Sequence, residues 1–237
     1  MRNYFKRLFP LNCAVLVAVI FIAYVLNQGA KQVIQVLPVN TGPTVIIDAG
    51  HGLPDGGATS CTGILEATLN LEISKKINDL FHLFGINTLM TRQDRNSIYT
   101  EGDTIARKKI SDTRNRVKII NNVQNGILLS IHQNHYYESQ YSGAQVFYAN
   151  SDESKTLAKE LQSALVASLK PESNRKIKRS SGVYLMEHVH CTAVLIECGF
   201  LSNPREESLL RTDDYQKKLS SAIVTSTLSF MNKNNPS

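Results

Sequence analysis

Apolar positions follow two rhythms along this chain. Short runs, rich in β-branched residues, occur at Thr44–Asp48, Ile86–Thr91, Gly126–His132, Ala144–Ala149, Gly182–Met186 and Ala193–Glu197. Several are continuous apolar blocks rather than alternating ones, the pattern of strands covered on both faces. Between them lie longer stretches with helical spacing. Glu66–Phe84 places Leu69, Ile73, Ile77 and Leu80 on one face, and Gly85 stops it. Ile105–Val123, Glu153–Leu169 and Asp214–Met231 read as helices as well. Strands alternating with helices predict a single α/β domain with a mostly parallel, twisted sheet flanked by helices. Sheets of this kind bind ligands beyond the carboxyl ends of their strands.

The first 27 residues break this pattern. Arg2, Lys6 and Arg7 precede an apolar run from Leu8 to Leu26, interrupted only by Pro10 and Asn12. A basic start followed by a run of that length predicts a signal peptide or a membrane anchor helix, with the rest of the chain exported. The flank Asn27-Gln28-Gly29-Ala30 offers no clean cleavage site, so membrane attachment depends on whether the segment is retained. Residues 28–43, with Gly29, Pro38, Gly42 and Pro43, read as a linker, and residues 44–232 as the folded domain.

Charge changes the picture little. The formal net charge is +6. Residues 1–40 hold Arg2, Lys6, Arg7 and Lys31 and no acid, so most of the excess belongs to the N-terminal 40 residues. It gives no ground for a nucleic-acid partner. Trp is absent, which removes one common platform for stacking sugars. The cysteines Cys13, Cys61, Cys191 and Cys198 lack C-x-x-C spacing and predict buried thiols rather than a zinc knuckle or a disulfide framework.

Three apolar strands end in a group able to do chemistry. Val45-Ile46-Ile47 runs into Asp48-Ala49-Gly50-His51, Ile127–Ile131 into His132-Gln133-Asn134, and Val194-Leu195-Ile196 into Glu197-Cys198-Gly199. A strand that is apolar to its last residue and then presents His or Glu aims that group at the sheet rim. His51, set between glycines, also reads as a turn histidine. Glu66, at the start of a helix, also reads as a residue that merely favours the helix dipole. Asn70 lies one turn on, able to support Glu66. Together His51, Glu66 and His132 match a catalytic zinc site, which uses three protein ligands and keeps a fourth position open. No H-E-x-x-H pattern is present, so the sequence does not support that protease class. His82, His135, His188 and His190 compete as ligands, and His188 and His190 are expected near the site if their turn reaches it.

Four segments carry a resemblance: Ile47-Asp48-Ala49-Gly50-His51-Gly52 through Asp55-Gly56-Gly57-Ala58, Glu66 with Asn70, Ser130–Asn134, and Glu197-Cys198-Gly199-Phe200-Leu201-Ser202-Asn203-Pro204. In this order and spacing they resemble the zinc N-acetylmuramoyl-L-alanine amidases of the amidase 3 type, over roughly residues 44–230. The compact build is most similar to the spore-cortex amidases of endospore-forming bacteria, which take part in forming muramic-δ-lactam. Leu53 departs from the pattern, since many members carry a second glycine there.

The resemblance implies one zinc ion per chain on His51, Glu66 and His132, a catalytic Glu197, and peptidoglycan as substrate. The cut bond joins N-acetylmuramic acid to L-alanine. Around these, Asp48 is a candidate to orient a ligand histidine, and Asn134 to hold substrate. Arg116 reads as a site for a peptide carboxylate or as a solvated helix residue. Two rival functions share much of this picture: a zinc peptidase or carboxypeptidase on wall peptides, and a wall-binding protein without activity. A small catalytic domain with no targeting module also suggests an activating partner protein.

Overall fold

Residues 42–234 are described by the computed structural model; the expected export segment and most of the linker lie outside the described residues. Six strands form one sheet: β1 (Thr44–Ala49), β2 (Thr88–Met90), β3 (Gly126–Asn134), β4 (Gln145–Tyr148), β5 (Lys178–Arg179) and β6 (Thr192–Phe200), in the order β2-β1-β3-β6-β4-β5. The helices among the described residues are α1 (Glu66–Leu83), α2 (Ile105–Asn121), α3 (Asp152–Leu169), α4 (Tyr184–His188), α5 (Pro204–Leu210) and α6 (Asp213–Asn234).

The continuous apolar runs have a simple cause. Successive strand residues point to opposite faces, and helices cover both. Val45, Ile47, Ile127, Leu129, Ile131, Val194 and Ile196 face one core, completed by Leu69, Ile73 and Ile77 of α1, Leu157 and Leu161 of α3, and Leu219 and Ile223 of α6. Ile46, Leu128, Ala193 and Leu195 face a smaller core with Ile120 of α2 and Leu185 and Met186 of α4. A one-residue register slip would exchange the two cores, so the pairing is tightly specified.

The sheet is mixed rather than uniformly parallel. Four pairings are parallel, but β4 runs antiparallel to β6 and so places Gln145 opposite Glu197. One predicted strand is absent. Gly182–Met186 is a turn leading into α4, and the edge strand lies earlier, at Lys178–Arg179. Gly182 adopts φ 75°, and its N–H donates to Glu187 Oε1 at 2.6 Å, which closes a turn where an extended strand was expected. Helix α5 was not anticipated, although Asn203-Pro204 marks its start. Asn203 caps it by accepting from Glu206 N at 3.0 Å, and Pro204 occupies the first turn, where no N–H is required.

Candidate metal centre and active site

The carboxyl ends of β1, β3 and β6 meet at one rim. His51 lies just past β1, while His132 and Glu197 are register partners on the parallel strands β3 and β6. Glu66, the first residue of α1, faces the same place. One ligand atom from each of His51, Glu66 and His132 falls within 4.8 Å of the others. Glu66 Oε2 lies 3.2 Å from His51 Nε2, and Glu66 Oε1 lies 2.9 Å from His132 Nδ1. Adjacent donors roughly 3 Å apart are what a small tetrahedral cation requires, and the set leaves a fourth position free. Two imidazoles and a carboxylate therefore fit a zinc ion.

The glycines flanking His51 are required by this geometry. A Cβ on Gly50 would run into the His132 ring. Gly57, at φ +69°, sits where a Cβ would come within 2.6 Å of Glu66 Oε2 and 2.8 Å of His51 Cδ2. His51 itself holds a left-handed backbone at φ 61°, a conformation non-glycine residues seldom adopt. Its carbonyl is pinned by Arg116 Nη2, which donates at 2.6 Å.

Two buried arginines hold this loop. Arg116 donates to Ala49 O at 2.7 Å and pairs with Asp48 at 2.6 Å and Asp112 at 2.8 Å. Arg92 donates to Ala49 O, Gly50 O and Ala67 O, at 2.8, 3.0 and 2.8 Å. These contacts correct two expectations. Arg116 is neither solvated nor free for a substrate carboxylate, because Asp48 and Asp112 neutralise it inside the protein. Asp48 bonds no histidine; it accepts from Thr91, Ser130 and Arg116, and reaches His51 only through the arginine. Burial opposes the Asp48 charge, but Arg116, Ser130 and Thr91 outweigh it and hold its pKa at about 2.

Asp55, which stands in one of the resembling segments without an expected role, orients His51. Its Oδ2 accepts from His51 Nδ1 at 2.8 Å and also pairs with Lys109 at 3.2 Å. A proton fixed on Nδ1 leaves the Nε2 lone pair for a cation. Without a metal, burial lowers the His51 pKa, but Asp55 and Glu66 more than offset this and raise it to about 9.

Glu66, buried, and Glu197, part-buried, are acids in opposite situations. Glu66 accepts from Ala58 N at 3.0 Å, Gln133 N at 3.1 Å and Asn70 Nδ2 at 3.2 Å, besides its two histidines. Burial penalises its charge, yet His132 and His51 hold the carboxyl well below the usual range. Asn70 also donates to Gly50 O at 3.1 Å and so links the helix to the His51 loop. Glu197 Oε2 is shut from solvent and has no hydrogen-bond partner among the described residues. Burial pushes its pKa up to about 7; Glu66 adds to this, while His132 and His51 oppose it.

Other candidates fall elsewhere. Asn134 lies two residues past His132 and lines a cleft beside the rim. His135 is exposed and outside the cluster, and His82 bonds Thr88 Oγ1 at 2.7 Å. His188 and His190 precede β6 and so belong to the opposite end of the sheet. The expectation of buried thiols holds for Cys198 alone of the described cysteines: Cys191 is part-buried and Cys61 exposed, because Cys61 sits in the loop before α1 rather than in an element.

Fold and rim together define an α/β domain whose sheet edge gathers a potential metal cluster beside a carboxyl of raised pKa. The family model described as N-acetylmuramoyl-L-alanine amidase matches residues 45–228, and the chain belongs to that family. The germination-specific N-acetylmuramoyl-L-alanine amidase of Bacillus subtilis is 38% identical over 196 residues, covering 82% of this chain and 81% of that protein. The CwlD amidase from Clostridioides difficile, solved in complex with the GerS lipoprotein, is 36% identical with a TM-score of 0.78, covering 81% of this chain and 99% of that one. An N-acetylmuramoyl-L-alanine amidase from Clostridium difficile 630 is 32% identical with a TM-score of 0.71, covering 82% and 99%.

Proposed function

We propose that this amidase is a one-zinc enzyme of spore-cortex maturation, cutting the amide between N-acetylmuramic acid and L-alanine so that muramic-δ-lactam can form. The observation that carries this reading is the cluster of His51, Glu66 and His132 beside Glu197, whose Oε2 is shut from solvent and unpartnered among the described residues. His51 through Nε2, His132 through Nδ1 and the Glu66 carboxylate would hold the zinc. When bound, zinc supplies a Lewis acid that polarises the lactyl carbonyl and lowers the pKa of water at the site to about 7.

The chain's own residues do the rest. Glu197, ionised, takes a proton from the attacking water. It then delivers that proton to the alanine nitrogen as the carbon–nitrogen bond breaks, so the amine leaves neutral. Proton transfer of this kind contributes about 10²–10⁴-fold. Asp55 keeps the Nδ1 proton on His51, and Arg92 and Arg116 hold the carbonyls of residues 49–51 in place.

The germination-specific name of the Bacillus relative fits the cortex role. The complex of the difficile relative with a lipoprotein fits an activating partner for this chain. In this reading residues 1–27 export or anchor the protein, residues 28–43 link, and residues 44–232 catalyse outside the cytoplasm. Metal analysis of the purified protein, paired with mass spectrometry of digested peptidoglycan, tests it. One zinc per chain and stem peptides beginning at L-alanine are expected. Fragments shortened at a D-amino acid would instead establish a peptidase, and no release at all a wall-binding protein.

A further inference from the structure

Beside Glu197, on the β4 side of the rim, lies a cleft of about 280 Å³ that no metal ligand lines. Its walls include Asn134, Tyr141, Gln145, Arg175, Lys178 and Phe200, and no acidic residue. An adjoining depression adds Lys170 and Lys176 against a single acid, Glu172. Gln145 is the cross-strand partner of Glu197, so the cleft begins one side chain away from the proton-transfer group.

Arg175 is built into this cleft rather than left to swing. Its Nε donates to Ser142 O at 2.7 Å, and its Nη1 to Gln145 Oε1 at 2.9 Å. Its guanidinium lies 4.5 Å above the Phe200 ring centroid. Gln145 is locked in turn, since its Nε2 donates to Lys176 O at 2.7 Å. Among the described residues, Arg175 Nη2 has no hydrogen-bond partner. The result is a fixed, half-buried cation with donors to spare: the acid Glu206 acts on it by charge but accepts from the backbone N–H groups of Gly143 and Phe200 instead.

The chemistry of the substrate decides what such a cation meets. Of the two arms flanking the scissile amide, the N-acetylated glycan is neutral near the cut, whereas the stem peptide carries free carboxylates. The first belongs to its second residue, a γ-linked D-glutamate. That carboxyl stands two residues of extended chain, roughly 6–7 Å, from the scissile nitrogen. We infer that the Arg175 cleft is the stem-peptide subsite and that Arg175, assisted by Lys178, binds the free α-carboxylate of the second stem residue. This inference rests on the amidase reading of the same rim.

The test compares two muramoyl dipeptide substrates that differ in one group of the second residue: D-glutamate, with a free α-carboxylate, and D-isoglutamine, with an α-amide. The full-length wild-type protein is expected to prefer the carboxylate. Arg175→Gln should lower kcat/KM on the carboxylate substrate about tenfold more than on the amide, chiefly through KM. Arg175→Lys should restore part of the preference. In parallel, the free tripeptide L-Ala-γ-D-Glu-diaminopimelate should bind Arg175→Gln about tenfold more weakly than wild type, a readout that needs no turnover. Equal losses on both substrates, or unchanged tripeptide affinity, would overturn the subsite and leave the amidase reading standing. Failure of the wild type to release any stem peptide from peptidoglycan would instead overturn the amidase reading itself.

Discussion

Two elements, α1 with its first residue and β6 with its C-terminal half, each bring a glutamate to the same rim and treat it in opposite ways. Around Glu66 the fold assembles two imidazoles, two backbone N–H groups and the Asn70 amide, all aimed at its oxygens. At Glu197 it shuts one oxygen from solvent and leaves it without a partner among the described residues. The first carboxylate stays charged under any ordinary condition; the second titrates near neutrality. The lesson is that donors rather than residue type divide the work: an acid rich in partners suits a cation, and one starved of them suits a proton.

Removing the charged member should have the largest effect. Glu66→Ala is expected to strip bound zinc to background in metal analysis and abolish turnover, since it also leaves His51 and His132 without their common partner. Glu197→Gln should show the other half of the contrast. Zinc content stays at one per chain while kcat falls about 10²–10⁴-fold. The acid limb of the wild-type rate profile reports the same group. As a base Glu197 must be ionised, so the rate falls as pH drops through its pKa, which is about 7 without metal and lower beside a bound dication. Glu197→Gln should flatten that limb, and full turnover in this variant would remove Glu197 from its role.

Smaller changes probe the support of each region. Asp55→Asn takes away the carboxylate that fixes the His51 proton, so zinc affinity should drop about 10–100-fold in competition with a chelator, with the fold intact. The smallest effect concerns the metal-free protein. His51 has a folded pKa of about 9 against an ordinary 6.5, so its contribution to stability is complete below about pH 6.5 and is lost as pH rises through 9. After chelation the thermal midpoint should therefore fall between pH 6 and 9.5, by roughly 2–4 °C for each kcal/mol lost. Zinc-loaded protein should not follow this decline, because the cation takes the place of the proton.

Much of the rim was legible from the chain. Apolar runs ending at His51, His132 and Glu197 announced three strands with chemistry at their tips, and the helical spacing after Glu66 put Asn70 one turn away. What was hidden involved partners far apart in sequence or disguised as turn chemistry. Asp55 stands in a Pro-Asp-Gly-Gly stretch that reads as an ordinary turn. Arg116 reads as a solvated helix residue until Asp48, 68 positions away, is found against it. The strand expected at Gly182–Met186 failed because five residues of mixed apolar character fit a short helix as well as an edge strand, and Gly182 decided between them.

By itself the sequence determined the layers, since the period of apolar positions sets which faces are buried and therefore the register that brings three strand ends level. It also supplied the reactive groups, because imidazole and carboxyl chemistry belongs to the residue. Only the tertiary structure decided their charge states and partners. A pKa depends on the dielectric and on donors within a few ångströms, and those neighbours come together from separate elements only when the sheet and helices close around them.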